Sequence, residues 1–257
     1  MTTLFDVALP VAEIVHLPHR GAATVVGTAT TLIDTVRATQ NGYFNGGTIF
    51  IISGASAGKF SRISGYNQGI FTFDTVTTLN GVGDRYAAVL AEISLYDIIS
   101  AINLALLDVG NLVKEDIQLT VVADQEEYTL PTGVSNLCRV ETTQSTTTPY
   151  EYKESKHWDE IGGTLRFDTG YRPGAAGTKL RLTYLVPHVT VNVAADVIDS
   201  QISKASLVHF AVAKVYEEQY KASKDKKYEA MINKEFQLGQ AFMNSADVPV
   251  VVHASPW

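Results

Sequence analysis

The chain has 257 residues, 46% of them hydrophobic, with a formal net charge of -7 at pH 7. That length holds one large domain or two small ones with a sizeable core, and the acid excess argues against a dedicated nucleic-acid binder, which would carry a basic face. Cys138 is the single cysteine, which excludes an intrachain disulfide and a cysteine-based zinc centre.

Residues 1–20 place Leu4, Phe5, Val7, Leu9, Val11, Ile14 and Val15 around Pro10 and ahead of Pro18, with no sustained period. They read as an extended N-terminal arm. His16 and His19 are three apart, but Pro18 lies between them and no third histidine accompanies them, so no metal centre is expected.

From Gly21 to about Leu90 the signal is β, with frequent Thr, Val and Ile and closely spaced turn residues. Strands are expected over 47–53, 59–64, 69–73 and 84–90. Strands at roughly ten-residue spacing suggest a small barrel or sandwich. Ser94 then caps an amphipathic helix in which Leu95, Ile98, Ile99, Ile102, Leu106 and Val109 share a face, ended by Gly110. A second β region runs from Ile117 to Leu185, with strands expected over 118–123, 127–130, 137–143, 164–167 and 178–184.

Asp199 to Asn244 is the longest helical stretch, free of Gly and Pro from Gln201 to Leu238. Asp199 and Ser200 offer N-cap oxygens. One apolar stripe is Ile202, Ala205, Val208, Val212 and Val215; a second is Tyr228, Ile232, Phe236, Gly239 and Met243. The polar run Lys221–Lys227 between them implies either a bent helix or a hairpin of two. Both stripes suit packing on a sheet or helix, and part of the second suits contact with another subunit. Matching periodicity predicts that Ile98, Ile102, Leu106, Val208, Val212 and Val215 share one core. Residues 248–257 form a short apolar tail bounded by Pro249 and Pro256.

The most apolar stretch, residues 86–113, is interrupted by Glu92, Asp97 and Asp108 and does not suit a membrane span. The N-terminus lacks the basic and then apolar run of a signal peptide. A soluble protein made in a cytoplasm is expected.

Little in the sequence carries chemistry. Gly54–Lys59 is one residue short of a phosphate-binding loop, has Phe60 where Ser or Thr should hold the metal, and precedes a strand. The acid pairs Glu126–Glu127, Asp159–Glu160 and Glu217–Glu218 are adjacent, so their carboxylates point in different directions. His157, beside Trp158, lacks a nucleophile partner, and Cys138, between Leu137 and Val140, suits a small buried position. Neither catalysis, nor a metal, nor a cofactor is expected.

Two passages resemble known proteins. The helix Tyr96–Gly110, the corner Gln125-Glu-Glu-Tyr-Thr-Leu-Pro131 and the strand containing Arg139-Val-Glu141, with late Tyr/Lys/Glu-rich helices, resemble the head–tail adaptor (connector, neck) proteins of tailed bacteriophages. Gly27–Thr35, then Tyr43–Ile52 with its Asn45-Gly-Gly-Thr48 turn, then Ser53, Gly54, Gly58 and Arg62, is similar to a β-module of phage virion proteins. Together these cover roughly residues 24–242.

The resemblance implies a structural ring beneath the portal that extends the DNA channel and gives the tail its attachment surface. Its partners would be itself in a closed ring, most simply a dodecamer, the portal protein, a downstream neck or tail protein, and genomic DNA in transit, with no membrane. The location implied is the virion's head–tail junction. The expected fold class is α+β: an arm at 1–20, a small β-barrel or sandwich at 21–92, an adaptor core of amphipathic helices packed with a second antiparallel β region at 93–244, and a docking arm at 245–257. The apolar arms need burial by something, so Val248, Val250, Val251 and Trp257, with Leu4 and Phe5, are the expected partner-docking residues. The alternatives are another tail-completion protein, a tail-spike or fibre anchoring protein, or a carbohydrate-binding adhesin using Tyr150, Tyr152, Trp158 and Tyr171.

Overall fold

The structure, a computed structural model, describes residues 1–37, 39–74, 80–144, 146 and 151–245. It is a mixed α and β protein, with four helices and several antiparallel sheets among the described residues. The described residues divide into two compact units, Met1–Val109 together with 189–245, and Gly110–His188.

The N-terminal segment is a helix rather than an extended arm. After β1 (Thr2–Thr3) comes α1 (Leu4–Val15), with Pro10 inside it. Thr3 and Asp6 form a reciprocal cap: the Thr3 N–H donates to Asp6 Oδ2 at 2.8 Å, and the Asp6 N–H donates to Thr3 Oγ1 at 3.4 Å. Two more first-turn N–H groups, of Leu4 and Phe5, donate to the carbonyls of Asp196 and Ala194. Leu4, Val7, Ala8, Val11 and Ala12 are buried, a 3/4 spacing that Pro10 obscures in the sequence. The proline forfeits one helical hydrogen bond, and five buried apolar side chains offset it.

Seven strands follow: β2 (His19–Ala22), β3 (Val25–Thr28), β4 (Thr31–Ile33), β5 (Thr48–Ile51), β6 (Lys59–Asn67), β7 (Ile70–Phe73) and β8 (Arg85–Val89). They make one antiparallel sheet in the order β2-β8-β5-β6-β7-β4-β3. The end strands β2 and β3 are successive stretches of chain that do not pair, so the expected barrel is not closed. Phe44, Ile49, Ile51, Ile63, Phe71, Phe73 and Tyr86 form its core. At the β5–β6 turn Gly54 has φ +90°, and a Cβ there would lie about 2 Å from the Asp84 carboxylate, so only glycine fits.

Helix α2 (Leu95–Val109) has a Ser94–Asp97 capping box, with the Asp97 N–H donating to Ser94 Oγ at 3.2 Å, and stops at Gly110, φ +92°.

The second unit holds β9 (Leu112–Asp116), β10 (Glu127–Thr129), β11 (Leu137–Thr143), β12 (Tyr152–Ser155), β13 (Trp158–Ile161), β14 (Thr164–Phe167) and β15 (Leu180–Val186). Two antiparallel sheets, β12-β11-β15-β9 and β10-β14-β13, share a core of Tyr128, Val140, Leu165, Phe167, Leu180 and Leu182. Residues 118–123, expected as a strand, form no regular strand but pair locally with 177–180: Thr120 bridges to Lys179, and the Val121 N–H donates to the Thr178 carbonyl. The expected helix–β–helix core at 93–244 is therefore redrawn: this β region closes on its own core, and the helices cluster with the N-terminal half.

The chain returns through β16 (Val197–Ile198), paired with β1, to α3 (Lys204–Ser223) and α4 (Lys227–Ser245). The long helical stretch is thus a hairpin of two helices. Ser203, not Asp199 or Ser200, is the N-cap, accepting from the Ser206 N–H at 3.4 Å. Lys224 ends α3 in the left-handed conformation, φ 57°. Helix α3 packs against α1, α2 and α4. Ile98, Ile102 and Leu106 of α2 and Val208, Val212 and Val215 of α3 are all buried.

Candidate functional site

The residues singled out for chemistry do not converge. In the Gly54–Lys59 turn the Ala57, Gly58 and Lys59 N–H groups donate to the carbonyls of Gly54, Ile51 and Ser56. A strand follows, so neither backbone donors nor a helix N-terminus face a phosphate. His157 Nδ1 lies 3.3 Å from Asp168 Oδ2 and its ring packs at a tilt against Tyr171, while Ser155 Oγ donates to the Tyr171 hydroxyl. His16 faces Glu92, and His209 faces Glu235. His19 sits between the rings of Tyr43 and Phe44, where burial and then the Arg37 charge lower its pKa. These four histidines thus take carboxylates or aromatic rings as partners, not a serine or cysteine. Cys138 was expected to be buried and is instead exposed; its thiol donates to the Thr183 carbonyl, and partial burial pushes its pKa up, away from a reactive thiolate. Among the described residues no group of three or more His, Cys, Asp or Glu is placed to hold a metal ion, and no helix is long and apolar enough to cross a membrane.

Of the aromatic residues expected for sugar stacking, Tyr152, Trp158 and Tyr171 are all half-buried. Trp158 and Tyr171 pack against the core of the second unit, with Trp158 Nε1 donating to the Ser155 carbonyl at 3.0 Å. Tyr152 lies under the Arg181 guanidinium, 3.9 Å from ring centre. Arg181 is itself held by the buried Glu141 at 2.6 Å. Tyr150 lies outside the described residues.

The expected docking residues also require correction. Leu4 is fully buried in α1 and belongs to this chain's own core, while Phe5 is half-buried and packs edge-to-face on Phe50. Val248, Val250, Val251 and Trp257 lie outside the described residues.

What the structure does assemble is a layer of helices in which α2 keeps an exposed apolar face. On α2, Ile98, Ala101, Ile102, Ala105 and Leu106 point inward. At about 100° per residue, Tyr96, Leu104 and Leu107 fall on the opposite side. They are 79%, 41% and 67% exposed. Asn103, at the edge of this face, donates to the Val191 carbonyl at 2.8 Å and accepts from its N–H at 2.9 Å. That pair fixes the segment carrying Val193, which is 60% exposed, beside α2. Sequence periodicity locates the buried side of α2; Leu104 and Leu107 lie off that stripe, on the side that also carries Asp97, Ser100 and Asp108, and no pattern of their own marks them.

The α3–α4 hairpin shows a second surface. Phe210 of α3 meets Gly239 of α4 so closely that a Cβ there would lie 2.8 Å from the ring. Phe236 packs on Phe210, Phe242 stacks on His209, and His209 Nδ1 is 2.6 Å from Glu235 Oε2. Beyond this seam the hairpin is solvated, and residues 221–227 are all exposed. At the α2–α3 contact Lys214 reaches Asp108 at 2.7 Å and Glu217 at 3.3 Å. Partial burial opposes its charge, but the two carboxylates outweigh that and raise its pKa.

No family model matches the chain, and no curated protein matches it in sequence. Function must therefore be argued from these surfaces.

Proposed function

We propose that this protein is a structural component of a tailed-phage virion, forming a closed ring at the neck beneath the portal. There it extends the DNA channel and presents the tail with an attachment surface. The observation that supports this best is the outer face of α2, where Tyr96, Leu104 and Leu107 stand exposed on a helix whose other side is fully packed. Large apolar side chains grouped in this way are a surface for another protein. A closed ring needs such a heterologous contact repeated between copies. The net charge of -7 suits a channel through which DNA slides, because a lysine-lined wall would hold phosphates by counterion release. Val248, Val250, Val251 and Trp257 remain the candidate contacts to the portal or a neighbouring copy.

The deciding experiment is made in the phage that carries the gene. Gold-labelled antibody should mark the head–tail junction, and deletion should leave DNA-filled heads and unattached tails. Label on fibres or spikes, or normal joined particles after deletion, would overturn the reading.

A further inference from the structure

We propose that the outer face of α2 is the seat for the α3–α4 hairpin of a second copy of this chain. The inference rests on the reading of the protein as a self-assembling ring and names the two surfaces that would meet.

Charge complementarity selects the occupant. Between Tyr86 and Val109 the chain carries Glu92, Asp97 and Asp108 and no Lys or Arg; Asp108 is met by Lys214 of α3 at 2.7 Å, so Glu92 and Asp97 carry the acid excess there. The segment tied to α2 by Asn103, from Val189 to Ser203, adds Asp196 and Asp199, again without Lys or Arg. The seat is thus an apolar strip of Tyr96, Leu104, Leu107 and Val193 with acidic surroundings. The hairpin tip has the opposite character: from Lys221 to Lys227 four lysines stand against Asp225, with Glu218 pairing Lys221 on one side and Lys234 lying beyond Glu229 on the other. Its apolar residues are the half-exposed Tyr228 and the exposed Met231. An apolar centre with a rim of opposite charges is what a specific protein contact needs, the rim fixing register and partner choice.

The fold makes the contact one between copies. Helices α2 and α4 each pack on α3, and α2 turns Tyr96, Leu104 and Leu107 away from α3. A hairpin seated on that outward face comes from another copy. The two surfaces differ, so the contact is heterologous, and repetition closes a ring or extends a filament.

The test uses the full chain in a Cys138→Ser background. Leu107→Cys and Met231→Cys are made in separate chains, mixed, and oxidised. Mixed 107–231 disulfides are expected, favoured at low ionic strength. Triple reversal of Lys226, Lys227 and Lys234 to Glu in the second chain should cut their yield about tenfold or more. Adding Glu92→Lys and Ser100→Lys to the first chain should restore it. Unchanged unfolding midpoints show that each variant folds. Only 107–107 disulfides, a yield indifferent to the reversals, or no disulfide at any concentration would overturn the inference. Failure here with antibody label still at the head–tail junction would leave the neck reading standing and place the ring contact elsewhere.

Discussion

Helices α3 and α4 are neighbours in sequence and nearly equal in length, 20 and 19 residues, yet they live in opposite environments. Every residue of α3 from Ala205 to Glu217 is buried or half-buried, because α1, α2 and α4 surround it. Of the described side chains of α4, only Glu235 and Gly239 are buried. An apolar stripe says which side of a helix faces inward; how much of the helix is covered depends on the number of neighbours. The same arithmetic separates the two sides of α2.

Truncation should expose the contrast most strongly. Phe210→Ala on α3 removes a buried ring that fills the space against Gly239, and the cavity should cost about 3–5 kcal/mol. Phe236→Ala on α4 removes the ring that packs on it but is already 41% exposed. It should cost well under half as much, roughly 1 kcal/mol. Equal losses in denaturant unfolding would mean that α4 is as deeply packed as α3.

The polar seam comes next. Glu235 is 4% exposed and its nearest partner is His209. His209→Ala leaves that carboxylate buried with only Lys234, at 3.7 Å, to meet it, and a loss of about 2–4 kcal/mol is expected. Adding Glu235→Gln should recover part of it. If the double variant is no more stable than the single one, the pair contributes nothing through its charges.

Gly239 tests how closely the two helices approach. Alanine is favoured in a helix by about 1 kcal/mol, but its Cβ would press on the Phe210 ring at 2.8 Å. Overpacking of this kind costs about 1–3 kcal/mol, so a small net loss is expected. Gln240→Ala, one residue along and exposed, should do nothing measurable. A stabilised Gly239→Ala protein would show that the ring has room to yield.

The smallest effect concerns α1, a further neighbour of α3. Burial raises the Asp6 pKa, but hydrogen bonds from the Thr3 N–H and hydroxyl, with the Lys204 charge, outweigh it and hold the carboxyl below its ordinary value. A depressed folded-state pKa stabilises the fold above the unfolded value and is lost as pH falls through the folded one. The gap between the native chain and Asp6→Asn, about 1 kcal/mol for a cap, should hold at neutral pH. It should begin to close below about pH 4 and vanish once Asp6 is protonated. A gap that persists in acid would mean the cap works without the charge.

The sequence by itself determined the elements with strong local codes. Ser94 with Asp97 started α2, Gly110 ended it, and the stripes of α2 and α3 fixed their shared core, because capping and 3.6-residue periodicity are properties of neighbouring residues. Strands β11 and β14 were legible in full for the same reason, as alternating or β-branched runs between turns. Tertiary structure decided the rest. Helix α1 was hidden by Pro10, whose lost hydrogen bond is outweighed only by burial against elements distant in sequence, and Leu4 passed from an expected docking residue into the core with it. The short strands β9, β12 and β13 form because partners are held beside them. The split into two units, and the exposure of Tyr96, Leu104 and Leu107 on a helix already buried on its other face, depend on which surfaces the fold leaves without a neighbour. No local pattern records that, because burial is a property of the whole packed chain.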